Sequence, residues 1–351
     1  MTDSLLTARQ RLVLTGLGAV SPLFSRLPGA VADAGGLLWL APVFALVPLC
    51  LTALLLYGLL RPLAGQSLCP GLCRVLGNGL GRGILFIYSI WAAVLWAGAL
   101  CSGAERFCWA LFPQSDVTAF LLVMAALALM GALGRLRTLG RMGEVVLPFL
   151  LITLGLIFLP GLGGVEWENL TESTPETIPA AAFGALTVTN TAACSLYGAF
   201  LPAEGAGSRR EWLWVFGAMG LLGFFLSLVT VGRLGAELTR ELPYPFFMML
   251  RDFRFLRLLE RVEALLCAMW VVTDFFVTAL LLTAGGRCLT AAITGREDSE
   301  VWPTLAVAAV GLLGAWLAPT WLWALIPAGN GVLLLGGLTG IYIIGKMRRR
   351  L

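Results

Sequence analysis

A polar stretch lies inside a long apolar run of the chain, at residues 187–200, TVTNTAACSLYGAF. Its hydrogen-bonding side chains are Thr187, Thr189, Asn190, Thr191, Ser195 and Tyr197. Another apolar run carries one acid, Asp274. Hydroxyl, amide and carboxylate groups inside apolar segments supply the donors and acceptors that hold an ammonium, a carboxylate or a small cation. These residues therefore indicate a binding site for a small polar ligand.

Histidine is absent from the 351 residues. Its absence removes the commonest general base, the commonest metal ligand and the usual partner of a serine or cysteine nucleophile. We therefore expect no catalytic residues and no enzyme activity. Most of the eight cysteines lie in apolar runs, and Cys69 and Cys73 in CPGLC have no second cysteine pair close by. We expect neither a metal site nor a disulfide at this pair.

The elements that position these groups are membrane spans. The chain is 59% hydrophobic and 13% charged, and its repeated apolar runs have the length that crosses a bilayer, roughly 18 to 25 residues. No stretch between the runs is large enough for a separate globular domain, so we predict a single integral-membrane domain over residues 1–351. The ten predicted spans are about 12–34, 37–60, 84–112, 117–134, 144–162, 179–203, 212–234, 260–286, 301–318 and 321–345.

Basic residues lie mainly in alternate loops, which fixes the orientation of the spans. Sixteen of the 24 basic residues lie in one set of loops and at the two termini. The positive-inside rule makes this side cytoplasmic, so we predict that both termini are cytoplasmic. The loop at 163–177 has four glutamates and no basic residue, as expected of an external segment. No basic face lies outside the membrane loops, so we expect no nucleic-acid partner.

Helix-breaking residues interrupt the first and sixth spans. Span one contains Gly16, Gly18 and Pro22, and we predict a break near residues 16–22. Span six has weak helix formers in series through 187–198. Broken backbone in a bilayer is tolerated only where it is buried in protein or lines a cavity. Both interruptions therefore favour a site inside the bundle.

The two interrupted spans begin two five-span halves, about 12–162 and 179–345. Corresponding interruptions are typical of transporters with inverted repeats, which bind substrate at the breaks. We predict an all-α membrane protein with ten transmembrane helices, a 5+5 inverted repeat, and helices 1 and 6 broken. The predicted ligand-binding residues on these helices are Gly16, Gly18, Ser21, Thr189, Asn190, Thr191, Ser195 and Tyr197. The alternative is that small residues only allow close helix packing.

Asp274 is the strongest candidate outside those two spans. It lies about 14 residues into span eight, which at about 1.5 Å per residue is roughly 21 Å from the outer end. A carboxylate at that depth costs on the order of 3 kcal/mol, so it must face the bundle interior and have a partner. It pairs with a ligand ammonium, binds sodium or carries a proton; the alternative is a structural carboxylate bonded to Thr273, Thr278 or hydroxyls of other spans. We expect no cofactor, and a coupling ion, Na⁺ or H⁺, stays open.

A family motif lies within residues 242–289. Its residues are Tyr244, Pro245, Glu260, Arg261, Glu263 and Trp270, and its most specific phrase is ERVEALLCAMW. This segment resembles the spore germination permease family, the multi-span B subunits of nutrient germinant receptors in the amino acid/polyamine/organocation superfamily. We interpret Glu260, Arg261 and Glu263 as a structural clasp at the outer end of span eight.

The resemblance implies a leucine-transporter-type fold, an amino acid or similar nutrient as ligand, other receptor subunits as partners and the spore inner membrane as location. In that fold span three passes beside the substrate, which makes Trp96 a further pocket candidate. Family members often have a glutamate shortly before the Phe-Leu-Pro of span six, whereas this chain reads CSLYGAFLP. The alternative function is an amino acid transporter coupled to protons or ions.

Overall fold

The computed structural model describes residues 5–30, 32–63, 67–171, 177–251, 262–296, 300–318 and 321–348. All regular structure within them is helical, apart from one isolated parallel bridge between Leu6 and Ala203. The α-helices are α1 (Ala8–Ala30), α2 (Leu40–Leu60), α3 (Leu68–Leu76), α4 (Asn78–Leu111), α5 (Val117–Leu133), α6 (Leu136–Leu162), α7 (Trp167–Thr171), α8 (Thr177–Ala192), α9 (Arg209–Glu241), α10 (Pro245–Arg251), α11 (Val262–Thr294), α12 (Val301–Leu317), α13 (Trp321–Ala324), α14 (Ile326–Gly329) and α15 (Gly337–Met347). Tighter or wider turns cover Ala32–Trp39, Arg61–Leu63 and Ala193–Phe200 (3₁₀) and Asn330–Gly336 (π).

Among the described residues, six helical units are long and apolar enough to cross a membrane: Ala34–Leu63, Asn78–Leu111, Leu136–Leu162, Arg209–Glu241, Ala264–Thr294 and Ile326–Met347. The apolar helices α5 and α12 are shorter. Each of the ten predicted spans overlaps a helical unit of the described chain. Large apolar side chains cover the outside; Met130, Phe149, Phe183 and Leu317 are 72%, 66%, 72% and 77% exposed. Such a surface is suited to lipid contact and indicates an integral membrane protein.

Span one is not broken. The prediction of a break near residues 16–22 is wrong, because α1 runs without interruption from Ala8 to Ala30. Pro22 lacks an amide hydrogen and so frees the carbonyl four residues earlier, that of Gly18. The Cys194 Sγ, which lies 3.5 Å from the Gly18 oxygen, donates a hydrogen bond to it. Since a neighbouring span satisfies this carbonyl, the helix continues through the proline.

Span six is interrupted within the predicted stretch. Helix α8 ends at Ala192 and the chain continues as a 3₁₀ helix from Ala193 to Phe200, all of whose residues are buried. Beyond it, the amide of Leu6 donates to the carbonyl of Pro202 at 3.2 Å, and the amide of Glu204 donates to the carbonyl of Leu6 at 2.8 Å. The irregular segment is therefore enclosed by protein and held to the N-terminal segment, as a bilayer requires of such backbone.

Helices α1, α4, α8 and α11 surround the middle of the bundle. Helix α1 contacts α6, α8, α9 and α11, and α4 packs along α11 in the most extensive helix pair. These contacts bring spans one, three, six and eight together. They are the spans on which the sequence places the polar stretch, Asp274 and the pocket candidates.

We expect Gly198→Ala to destabilise the protein. A β-carbon on Gly198 would lie 3.1 Å from Cβ and 3.3 Å from Cα of Thr15 on α1, and closer still to the Thr15 hydroxyl. Overpacking of this kind costs about 1–3 kcal/mol, so the melting temperature of the purified protein should fall. Gly155→Ala on α6 is the matched control, because nothing lies within 4 Å of its β-carbon. Equal stability of the two variants would contradict the close approach of spans one and six.

Candidate functional site

A buried ion pair joins α4 to α11. Nη2 of Arg106 lies 2.8 Å from Oδ1 and 2.6 Å from Oδ2 of Asp274. The two side chains are only 2% and 5% exposed. Asp274 therefore faces the bundle interior and has a charged partner, which its depth in span eight requires. Thr278 does not bind this carboxylate, because its hydroxyl donates to the main-chain carbonyl of Asp274.

Span one and an aromatic ring complete the surroundings of the ion pair. The Ser21 hydroxyl donates to Oδ1 of Asp274, and Nη2 of Arg106 lies 3.2 Å from the Ser21 oxygen. The guanidinium carbon of Arg106 lies 4.8 Å from the ring centroid of Trp270, which is a cation–π contact. Nη1 of Arg106 is buried and has no hydrogen-bond partner among the described residues. One donor group of the site is therefore unused.

The described part of the family motif packs beside this pair. Tyr244, which precedes α10, lies 5.0 Å from Trp109 and 6.5 Å from Trp270 between ring centroids. Phe247 stacks on Trp270 at 5.5 Å, and Pro245 begins α10. Through this cluster α10 covers Trp270, which in turn contacts Arg106. Glu260, Arg261 and the side chain of Glu263 lie outside the described residues, so the predicted clasp stays a prediction.

A small cavity of about 50 Å³ is lined by Asp274, the acidic member of the ion pair. Five spans form its wall: one, three, six, eight and ten. Its polar lining residues are Ser21, Ser25, Ser102, Thr191, Cys194, Asp274 and Asn330, and the other lining residues are small or apolar. A volume of this size holds a few water molecules. A larger ligand therefore has no room in this cavity until the wall moves.

Span ten supplies a residue that the sequence analysis missed. Nδ2 of Asn330 donates to the carbonyl of Asn190 at 2.9 Å, and its Oδ1 accepts from Nε1 of Trp91 at 3.0 Å. Asn330 begins the π-helical segment, and π-helical turns are frequent at functional sites. The signal was present as an amide in an otherwise apolar span just after Pro327. Asn330 thus ties spans three, six and ten together at the cavity.

Three of the predicted ligand-binding residues line the cavity: Ser21, Thr191 and Asp274. The Thr191 hydroxyl is buried and has no partner among the described residues. The hydroxyl of Ser195 is buried and unpartnered in the same way, but Ser195 does not line the cavity. An unpartnered buried hydroxyl is costly, so Thr191 is the better candidate for contact with a ligand.

The other predicted residues point elsewhere. Thr189 donates to the carbonyl of Ala185 in its own helix, and Tyr197 donates to the carbonyl of Tyr88 at 2.7 Å. The remaining four lie at close helix contacts. A β-carbon on Gly16 would meet Val215 and one on Gly18 would meet Leu280, and the side chains of Asn190 and Trp96 lie against Gly331 and Gly311. For these six residues the structure favours the alternative of helix packing and local hydrogen bonding.

Structural comparison relates this fold to membrane transporters. The crystal structure of MhsT in complex with L-phenylalanine matches with a TM-score of 0.68 and 12% identity, over 97% of this chain and 89% of that chain. Mhp1, a nucleobase-cation-symport-1 family transporter in a closed conformation with bromovinylhydantoin bound, matches with a TM-score of 0.57 and 13% identity, over 99% and 80%. A mutant manganese transporter of Eremococcus coleocola gives 0.57 and 14% identity, over 95% and 78%. The fold is therefore the all-helical, leucine-transporter-type fold of this class.

The sequence defines the family within that class. A family model described as spore germination protein matches residues 10–313. The chain therefore belongs to the spore germination permease family, and the resemblance inferred from residues 242–289 is confirmed. No curated protein sequence matches the chain. Fold and family together make it an integral membrane protein of the permease type.

We expect the ion pair to give a distinctive pattern of stabilities. Asp274→Asn leaves Arg106 charged, buried and without a counter-ion, and removal of one partner of a buried pair costs about 3–5 kcal/mol. The double variant Asp274→Asn/Arg106→Gln removes both charges and should recover part of that loss. Melting temperatures of the purified proteins measure this. A double variant less stable than Asp274→Asn alone would contradict the pairing.

Asn330→Ala should lower the melting temperature, because it removes the acceptor of the half-buried indole N–H of Trp91 and the side-chain donor to the carbonyl of Asn190. The expected cost is about 1–3 kcal/mol in total. Asn190→Ala is the matched control, since the contact uses the main-chain carbonyl of Asn190, which alanine keeps. Equal losses in the two variants would show that Asn330 does not hold the three spans together.

Proposed function

We propose that the protein is the nutrient-binding, permease-like membrane subunit of a spore germinant receptor, and that it binds an amino acid in the cavity beside Arg106 and Asp274. One observation carries the proposal: a small cavity among five spans, lined by Asp274, whose buried partner is Arg106, and by residues at the interruption of span six. The polar groups of that wall are the donors and acceptors that a small charged ligand requires.

The two charges match the two charged groups of an amino acid. Asp274 accepts from an ammonium, and Arg106 donates to a carboxylate through Nη1, which has no partner in the described chain. The hydroxyl of Thr191, also unpartnered and on the cavity wall, adds a donor or an acceptor. A zwitterion thus replaces the internal ion pair with two ligand contacts.

Binding of this kind requires movement of the wall. The cavity of about 50 Å³ is far smaller than ligand pockets, which are about 300–1,000 Å³. The ligand therefore binds to a more open arrangement, in which α4 and α11 separate at the ion pair. A ligand that binds the open form better shifts the population toward it, and partner subunits read that change.

The membrane arrangement is part of the proposal. Ten crossings form a single domain over 1–351, with two five-span halves at about 12–162 and 179–345 and both termini in the cytoplasm of the spore inner membrane. The overlap of helical units with the ten predicted spans and the alternation of basic loops support this arrangement. An amino acid as ligand is supported by the family and by the L-phenylalanine in the MhsT structure, whose fold the chain shares.

A second candidate function is an amino acid transporter coupled to H⁺ or Na⁺. The structures with this fold include transporters, and Asp274 is a carboxylate that can carry a proton or contact a cation. Uptake of a labelled amino acid into proteoliposomes separates the two functions. The receptor proposal expects binding without gradient-driven accumulation, and accumulation against the amino acid gradient would replace it with the transporter.

We expect Thr191→Val to weaken ligand binding without loss of stability. Valine keeps the shape of the side chain and removes a hydroxyl that has no partner in the described form, so the melting temperature should stay the same or rise. Affinity should fall about 3- to 10-fold, the worth of one neutral hydrogen bond. Isothermal titration measures this, with the amino acid first selected from a panel by thermal shift.

Thr189→Val is the control for that measurement. Thr189 lies on the same helix, its hydroxyl bonds to Ala185, and it does not line the cavity. Its affinity should equal that of the unmodified protein. If Thr191→Val and Thr189→Val bind the amino acid equally well, Thr191 is not part of the binding site.

A further inference from the structure

A second cavity lies at the membrane face where α2 and α15 end and α9 begins. Its volume is about 580 Å³, and it lies between these three helices. Arg61, Arg209 and Lys346 line it together with Tyr57 and Tyr342. Leu54, Gly58 and Pro62 add an apolar wall. It is separate from the candidate ligand site, with which it shares no lining residue.

Two helices present the same pair of side chains to this cavity. On α2 and the turn after it, Tyr57 precedes Arg61 by four residues, and on α15 Tyr342 precedes Lys346 by four. Residues four apart lie on one helix face, so each helix places a phenol one turn below a cation. The helices touch at this level, because a β-carbon on Gly58 would lie 2.7 Å from Cε2 of Tyr342.

The three cations have no anionic partner in the described structure. None of the three is in an ion pair with a described residue, and no carboxylate lines the cavity. Arg61 and Lys346 lie near helix C-termini, where the helix dipole favours a cation. Arg209 begins α9, where the dipole disfavours one. Helix dipoles therefore favour Arg61 and Lys346 but not Arg209, so they do not explain why three cations lie together here.

We propose that this cavity binds the headgroup of an anionic phospholipid. The phosphodiester oxygens accept hydrogen bonds from the three cations and the two phenols. The acyl chains continue along the apolar wall toward Leu54. Leu54 lies seven residues before Arg61, or roughly 10 Å deeper along the helix axis, which is within one leaflet of a hydrocarbon core of about 30 Å. Basic clefts between membrane helices recognise phospholipid headgroups in this way.

The proposal is tested by native mass spectrometry of the purified full-length protein in detergent. Phosphatidylglycerol and phosphatidylcholine with the same acyl chains are titrated separately, and each bound lipid is counted. Phosphatidylglycerol should bind more tightly. Arg209→Gln should weaken it about fivefold, the worth of one basic residue near an anionic lipid. Tyr342→Phe should weaken it by a smaller factor.

Arg210→Gln is the matched control, because Arg210 is adjacent to Arg209, also exposed and outside the lining of the cavity. It should leave phosphatidylglycerol binding unchanged. Equal weakening by Arg209→Gln and Arg210→Gln, or equal binding of the two lipids, would overturn the proposal. A further arm compares thermal stabilisation by phosphatidylglycerol with that by inorganic phosphate, which should have no effect. Stabilisation by phosphate to the same extent would assign the cavity to a soluble anion instead.

Discussion

A charge inside the bundle must have its counter-charge beside it, because an unpaired ion in a low-dielectric interior costs several kcal/mol. The pair formed by Arg106 and Asp274 meets this requirement and holds three helices together. It joins α4 to α11, which form the most extensive helix pair, and Ser21 adds α1 to the same contact. Trp270 connects the guanidinium to α10. Under the proposed function, it is this ion pair that a zwitterionic ligand would separate.

Irregular backbone imposes the second requirement, since each carbonyl or amide freed inside a membrane needs a partner within the protein. The carbonyl of Gly18, freed by Pro22, accepts from Cys194. The carbonyl of Asn190, near the end of α8, accepts from Asn330, and the carbonyl of Leu333 in the π-helical segment accepts from Tyr88. These bonds all join different spans. The cavity lies among these bonds, which hold spans one, three, six and ten together around it.

The sequence predicted the helices better than it predicted the side-chain contacts between them. Apolar length located a helical unit for every predicted span, and the depth of Asp274 required a buried partner, which the structure supplies. The partner itself lies 168 residues away on span three, and no local pattern links Arg106 to Asp274. The predicted break in span one was wrong. Helix propensity takes no account of the hydrogen bond that the Cys194 thiol, on a neighbouring span, donates to the carbonyl freed by Pro22. Asn330 was missed because a lone amide in an apolar span has no periodic signature. The partner of the Tyr197 hydroxyl is a main-chain carbonyl of span three, which no side-chain pattern could reveal.

In the proposed site, Asp274 and Arg106 together bind the two charged groups of an amino acid. Isothermal titration tests it with three ligands that share one side chain: the amino acid itself, the amine that lacks the carboxylate, and the acid that lacks the ammonium. Both analogues should bind at least about tenfold more weakly than the amino acid, because each leaves one charge of the separated pair without a partner. If either analogue binds as tightly as the amino acid, the ion pair is a structural contact and the ligand site lies elsewhere.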